Sequence, residues 1–282
     1  TGDQNTSVGY ESLKANTTGI NNSAVGQQSL TANTTGCNNA GLGRLALTAN
    51  TEGDENVSVG SCSLRRNTTG NYNTSLGACS LMCNTTASNN TAVGLCALNV
   101  NTTGTSNVAV GALSLDANTT ASSNTALGYA ALSATTSGAD NTAVGRSALV
   151  TNQTGANNVA VGRNALLVNT ASNNTAIGKD AMIENTTGAD NTAVGTNALC
   201  KNTTASGNSA FGRCALFDNT TGAANNTFGT ESLANNTEGG CNNAFGNAAL
   251  GQNTTGAHNV AMGHVALNAN TTASNNVDRK ST

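Results

Sequence analysis

The chain has 282 residues, among them 47 Asn, 44 Thr and 32 Gly, with no Trp and no Pro, and its charged residues amount to 9% with a formal net charge of −3. An ordinary soluble domain is about one quarter charged, and the densest basic spot here is Arg65-Arg66, so the composition excludes the clustered cations that hold nucleic acid. Three Tyr and four Phe are too few large side chains for a conventional core of this size, and no apolar run approaches the ~18–20 residues of a helical membrane span.

Read from its start, the chain opens inside a repeat, at Thr1-Gly2, and is taken as one array over residues 1–282, a segment of a longer fibre protein. A glycine then recurs sixteen times from Gly9 to Gly263, every 17 residues except for a step of 16 between Gly162 and Gly178. Each is preceded by Val, Leu, Ile, Phe or Met and followed four residues later by Leu, with Met182 the exception. An Asn stands four residues before every one, and another seven after, except at Thr135. The one deletion falls in the polar stretch Asn169-Thr-Ala-Ser. The last residues, 275–282, depart from the pattern.

Seventeen residues are too few for a helix pair and suit one coil of a β-solenoid. In each repeat the N-T-A-V segment predicts a first strand, the glycine a corner with positive φ or no room for a Cβ, the x-A-L-x segment a second strand, and N-T-T-G a second corner. The expected fold is all-β: a parallel β-solenoid (β-roll) of about 16 turns, an elongated rod. One coil buries too little apolar surface to offset the ordering of its backbone, so stability must accumulate by stacking. The two Asn columns are expected to form amide ladders. Val and Leu are expected inside, and the Ala or Ser beside them, as in Ala193-Val194, on the opposite face, where they would pack against sister chains.

The segments Asn141-Thr-Ala-Val-Gly-Arg-Ser-Ala-Leu149 and Asn174-Thr-Ala-Ile-Gly-Lys-Asp-Ala-Met182 resemble the head repeat of trimeric autotransporter adhesins, S-x-A-I-G-x-x-A-x-A, and are similar to repeats of phage and algal-virus fibre proteins. The resemblance covers nearly the whole chain. It implies a left-handed parallel β-roll, three chains about one axis, and a place on a cell or particle surface. The repeat here is longer, and no coiled-coil stalk, membrane anchor or chaperone domain accompanies it.

Eight cysteines are the most unusual chemistry. Cys62, Cys79 and Cys96 share one position in successive repeats and Cys214 repeats it later; Cys79 and Cys83 fall within one turn, and Cys200 and Cys214 in adjacent turns. Stacked cysteines would be ~4.8 Å apart, within the Cα range of a disulfide, so a clamp is expected, against the alternative of free thiols as small apolar fillers. Asn-Thr-Thr sequons at Asn16, Asn33, Asn67, Asn84, Asn101, Asn118, Asn185, Asn202, Asn219, Asn253 and Asn270 are candidate glycosylation sites on an outer corner; the alternative is that Asn and Thr are simply turn residues. His258 and His264 stand without a partner constellation, and neither a catalytic nor a metal-ligating set is predicted. No cofactor is expected.

The function these features point to is a non-enzymatic structural or adhesive component of an extracellular or particle-surface fibre, self-associating as a homotrimer or end-to-end filament, with attached glycans or a surface receptor as further partners. The second reading is an ice-binding solenoid, on the Thr row Thr17, Thr34, Thr51, Thr68 and Thr85.

Overall fold

The computed structural model describes residues 2–280; Thr1, where the array was expected to open, and Ser281 and Thr282 of its atypical end lie outside the described residues. Among the described residues there are seventeen three-residue strands and no helix. The chain divides after Asp140 into two units. The first holds β1 (Thr6–Val8), β2 (Ser23–Val25), β3 (Ala40–Leu42), β4 (Val57–Val59), β5 (Thr74–Leu76), β6 (Thr91–Val93), β7 (Val108–Val110) and β8 (Thr125–Leu127). Each pairs in parallel with the next, in register with the residue 17 later, as Ala92 with Ala109. The second holds β9 (Thr142–Val144), β10 (Val159–Val161), β11 (Thr175–Ile177), β12 (Thr192–Val194), β13 (Ser209–Phe211), β14 (Asn226–Phe228), β15 (Asn243–Phe245), β16 (Val260–Met262) and β17 (Val277–Arg279), again paired in sequence order. The shortened repeat keeps register, with Val159 opposite Thr175. Both units are parallel β-solenoids with one coil per repeat, about 16 coils in all.

The coil around Gly94 shows how the repeat closes. Thr91–Val93 is the strand. Gly94 then adopts φ +133°, and a Cβ there would lie 2.7 Å from the carbonyl carbon of Gly111 on the next coil. Both grounds for glycine therefore hold at this corner: the backbone conformation is one L side chains rarely adopt, and the coils touch.

The expected second strand is not a strand. In Leu95–Asn99 the backbone alternates hand, with Cys96 at φ 54° and Leu98 at φ 52°. The alternation still sends amides to both neighbours: Cys96 N–H donates to Ala78 O of the preceding coil at 3.0 Å, and Leu98 N–H to Ser114 O of the following coil at 2.9 Å. A left-handed Leu costs about 1–2 kcal/mol. Leu98 is fully buried, which is worth about 1.5–3 kcal/mol, so burial offsets the strain.

The core corrects the sequence reading of the first strand. Its middle residue points inward: Ala24, Ala92, Ala109, Ala126, Ala143, Ala160, Ala176, Ala193, Ala210, Ala244 and Ala261 are completely buried, and so is the column from Leu30 to Leu250 on the other side of the coil, with Leu13 and Leu267 at its ends less so. The large aliphatic before the glycine points out, with Val25 40%, Leu42 42% and Leu127 46% exposed. Strand neighbours take opposite faces, and the cross-section decides which goes in. A Cβ on Gly41 in β3 would lie 2.5 Å from Ser29 Oγ and 3.4 Å from Leu30 Cγ. Opposite the Leu and the residue before it space is short, and the column takes Gly, Ala or Ser in β1–β16 with Thr227 as its one larger member. Where that small residue is Ser it pairs across the coil with a second Ser: Ser75 Oγ lies 2.6 Å from Ser80 Oγ and donates to Ser80 O at 2.9 Å, and Ser58 makes the same contact with Ser63.

Two buried Asn columns complete the interior, and the expected amide ladders are present. In the column after the glycine, Asn101 Nδ2 donates to Asn84 Oδ1 at 3.0 Å and Asn118 Nδ2 to Asn101 Oδ1 at 2.8 Å. In the column before it, Asn39 N–H donates to Asn22 Oδ1 at 3.0 Å. One backbone carbonyl ties the columns together, since Gly36 O accepts from Asn22 Nδ2 at 2.8 Å and Asn33 Nδ2 at 2.9 Å.

The ladder is interrupted where Thr135 replaces Asn. Asn118 Oδ1 is buried there with no hydrogen-bond partner. A buried orphan acceptor costs about 1–3 kcal/mol. Thr135→Asn is accordingly expected to stabilise the first unit by about 1 kcal/mol, read as an upward shift of its urea midpoint at unchanged slope.

The atypical end joins the stack. Val277, Asp278 and Arg279 pair in register with Val260, Ala261 and Met262, which places Asp278 in the interior Ala column. Its Oδ2 accepts the amide of Leu267 at 3.0 Å, where in other coils the Leu amide donates to a backbone carbonyl of the next coil, as Leu250 does to Ala266 O at 2.9 Å.

Candidate functional site

With Ala inside, each unit presents a row of aliphatic side chains on the outer face of its strands. In the first unit the row runs from Val8 to Leu127, with Val59 and Leu76 each 37% exposed. In the second it runs from Val144 through Ile177 to Met262, and three of its rungs are aromatic. The Phe211 and Phe228 rings stack with centroids 4.4 Å apart, and Phe228 and Phe245 with centroids 5.4 Å apart. Beside it, two residues earlier in each strand, lies a second outward row: Thr6, Ser23, Ala40, Val57, Thr74, Thr91, Val108 and Thr125 in the first unit. Neither row holds a charged residue in β1–β8 or β9–β16. Eight strands at ~4.8 Å make such a stripe roughly 35 Å long in each unit. Some members of the row are exposed, as Val25 and Met262 are at 40% and 50%, and others, such as Val93 and Val144, are half-buried. The sequence reading placed the outward face at the Ala and Ser beside the aliphatics. The signal that identifies the other row is the lack of space opposite Leu, which only the coil cross-section reveals.

The sequon asparagines lie inside. Asn33, Asn67, Asn84, Asn101, Asn118, Asn185, Asn202, Asn219 and Asn253 are fully buried, and Asn16 and Asn270 are half-buried at their columns' ends. A glycan would attach at Nδ2, yet that atom is the ladder donor: Asn67 Nδ2 donates to Asn50 Oδ1 at 2.8 Å and to Gly70 O at 2.9 Å. Asn16 and Asn270 Nδ2 likewise donate to Gly19 O at 2.9 Å and Ala273 O at 3.0 Å. The expected placement of these asparagines on an outer corner is therefore corrected, because the folded coil uses their amides as its internal scaffold.

All eight cysteines are free thiols, so none of Cys62, Cys79, Cys83, Cys96, Cys200 and Cys214 is bridged. The shared position does bring Cys62, Cys79 and Cys96 together: the Cys79 thiol is held above its ordinary pKa by burial, then by Cys96 and Cys62 on the flanking coils. Cys83, at a different position of the Cys79 turn, is half-buried. Cys200 is buried, and desolvation, reinforced by the carboxylates of Glu184 and Asp180 and by Cys214, pushes its thiol up to about 11. Thiol alkylation proceeds through the thiolate. At pH 8, Cys200 is expected to react on the order of a hundredfold more slowly than an ordinary thiol near 8.5, and so far behind the exposed Cys241. A mass-spectrometric time course with iodoacetamide on the folded chain checks this; equal rates at the two residues would contradict it.

The Thr row does not present free hydroxyl donors. Thr17, Thr34, Thr51, Thr68 and Thr85 each donate Oγ1–H to a Thr carbonyl of the following coil, as Thr34 does to Thr51 O at 2.9 Å. This row is tied into the scaffold, which weakens the ice-binding reading. Charged groups pair at the surface: Lys201 Nζ lies 2.7 Å from Asp218 Oδ1, and Asp180 is 3.5 Å from both Arg163 and Lys179.

A scan against models of known protein families matches none, and a search of curated proteins likewise gives no match.

Proposed function

We propose that the chain is a structural, adhesive, non-catalytic component of a fibre or filament, placed outside the cell on a cell surface or on a virus or phage particle, and that it works by self-association, as a homotrimer or end to end. The observation that carries this reading is the pair of uncharged outward rows on the strands of each unit. An exposed stripe of Val, Leu, Ile, Phe and Met is costly in water and gains by being covered. A second observation supports it: the interior Asn and the Thr17 row are occupied with holding the coils together, as suits a segment whose work is mechanical. A surface receptor is a further partner within the same reading.

Sedimentation of the purified chain over a range of concentrations tests the proposal, with electron microscopy of the largest species. Trimers or longer assemblies are expected. A chain that stays monomeric at every concentration would remove the argument's basis.

A further inference from the structure

Cys62, Cys79 and Cys96 occupy the second position after the corner glycine in three successive coils. Their backbones are nearly identical, with φ of 59°, 56° and 54°, so their side chains leave the coil in the same direction. The ladder beneath them is intact: Cys62 N–H donates to Arg44 O at 2.9 Å, Cys79 N–H to Ser61 O and Cys96 N–H to Ala78 O, both at 3.0 Å. All three are half-buried, outside the Ala, Leu and Asn columns that fill the interior. Elsewhere this position carries polar residues, as Glu11, Gln28, Asp180 and Asn197, and apolar ones, as Leu45, Leu113 and Val265, so it is a boundary column at the edge of the coil. Burial is the main influence on the Cys79 thiol, followed by Cys96 and Cys62 on the flanking coils, with the Arg65 guanidinium the one group that favours its thiolate. Cys62 Sγ accepts a hydrogen bond from Ser61 Oγ at 3.8 Å.

We propose that these three thiols form a redox column in which Cys79 and Cys96 join as a readily reduced disulfide across two coils, while Cys62 stands ready to exchange with it. A low-molecular-weight disulfide such as oxidised glutathione supplies the oxidant. The Cys79 thiolate attacks one of its sulfurs, forming a mixed disulfide and expelling a glutathione thiolate. The Cys96 thiolate then attacks Cys79 Sγ and expels the second. Two protein thiols are oxidised, one small disulfide is reduced to two thiols, and the protons lost by Cys79 and Cys96 are taken up by the leaving thiolates. Attack of Cys62 on Cys79 Sγ breaks the bond to Cys96, makes one to Cys62 and frees the Cys96 thiol, with no net oxidation. Lability follows from position. All three cysteines are only half-buried, and exposed disulfides have the higher reduction potentials. This makes the column a switchable staple, distinct from a permanent clamp.

The test treats the folded chain with oxidised glutathione, blocks remaining thiols with iodoacetamide, and maps peptic peptides by mass spectrometry. The expected product links Cys79 to Cys96 within one chain, carries no glutathione on either, and returns to the dithiol with excess reduced glutathione in the absence of denaturant. Cys62→Ser should keep the link, and Cys96→Ser should move it to Cys62–Cys79. The proposal is overturned if Cys79 stays free or only glutathionylated in a chain whose circular dichroism shows it folded, if the link joins two chains, or if its reduction requires denaturant. Failure of Cys96→Ser to form the Cys62–Cys79 bond would overturn the exchange step.

Discussion

Replacing Asn101 by Ala is expected to destabilise the first unit by about 3–4 kcal/mol, while Thr103→Ala, two residues away, should change it by no more than about 0.5 kcal/mol. Asn101 is fully buried, and its Nδ2 donates to Asn84 Oδ1 at 3.0 Å and to Gly104 O at 2.9 Å. Its Oδ1 accepts from Asn118 Nδ2 at 2.8 Å. The substitution removes three hydrogen bonds at once. Gly104 O retains Asn90 Nδ2 at 3.0 Å, and Asn118 Nδ2 retains Ala121 O at 3.0 Å, so the main uncompensated group is Asn84 Oδ1. The loss of about 1 kcal/mol for each of the two bonds whose other partner stays paired, together with about 1–2 kcal/mol for the orphaned Asn84 Oδ1, sets the estimate. Thr103 is exposed. Both substitutions destroy the same sequon, so the pair separates the two roles of this asparagine. Urea denaturation followed by circular dichroism measures the difference. Equal, small effects from both would mean that the amide ladder contributes little.

Leu76→Asp is expected to leave the first unit folded and to weaken self-association on the order of a hundredfold or more. Leu76 ends β5 in the outward row, with Val59 and Val93 as its partners on the neighbouring strands. Exposed at 37%, it has little interior packing to lose. In an assembly that covers the row, the new carboxylate would be desolvated and would meet its own copies, and like charges brought together across an interface cost several kcal/mol. Thr103→Asp, exposed at the corner, serves as the control for added charge. Sedimentation equilibrium with far-ultraviolet circular dichroism reads both properties. An assembly unchanged by Leu76→Asp would show that this row is not the contact surface.

Much of the coil is legible in the residues. The corner glycines announce the tight approach that Gly94 makes to Gly111. The asparagines four before and seven after announce the ladders. The Ser pairs Ser58–Ser63 and Ser75–Ser80 are not legible in this way, since Ser29 and Ser114 occupy the same position opposite Ala24 and Ala109. The x-A-L-x segment was misread for a physical reason. Its apolar pattern matches a short strand, and nothing in it marks the alternating backbone hand of Cys96 and Leu98. The Asn-Thr-Thr triplets misled in the same way, since turn residues and sequons look alike until the direction of the amide is known.

The repeat length, the first strand, the glycine corner and the stacking of like on like were determined by sequence alone, because periodicity and local backbone chemistry suffice for them; that each coil keeps only this one strand was decided by the alternating backbone of the x-A-L-x segment. Which of two adjacent apolar residues faces inward was decided by tertiary structure. Alternation along a strand allows either arrangement. The choice rests on the distance from the strand to the Leu column across the coil, which favours the smaller Ala92 over Val93 on the inner face, and that distance exists only once the coil has closed.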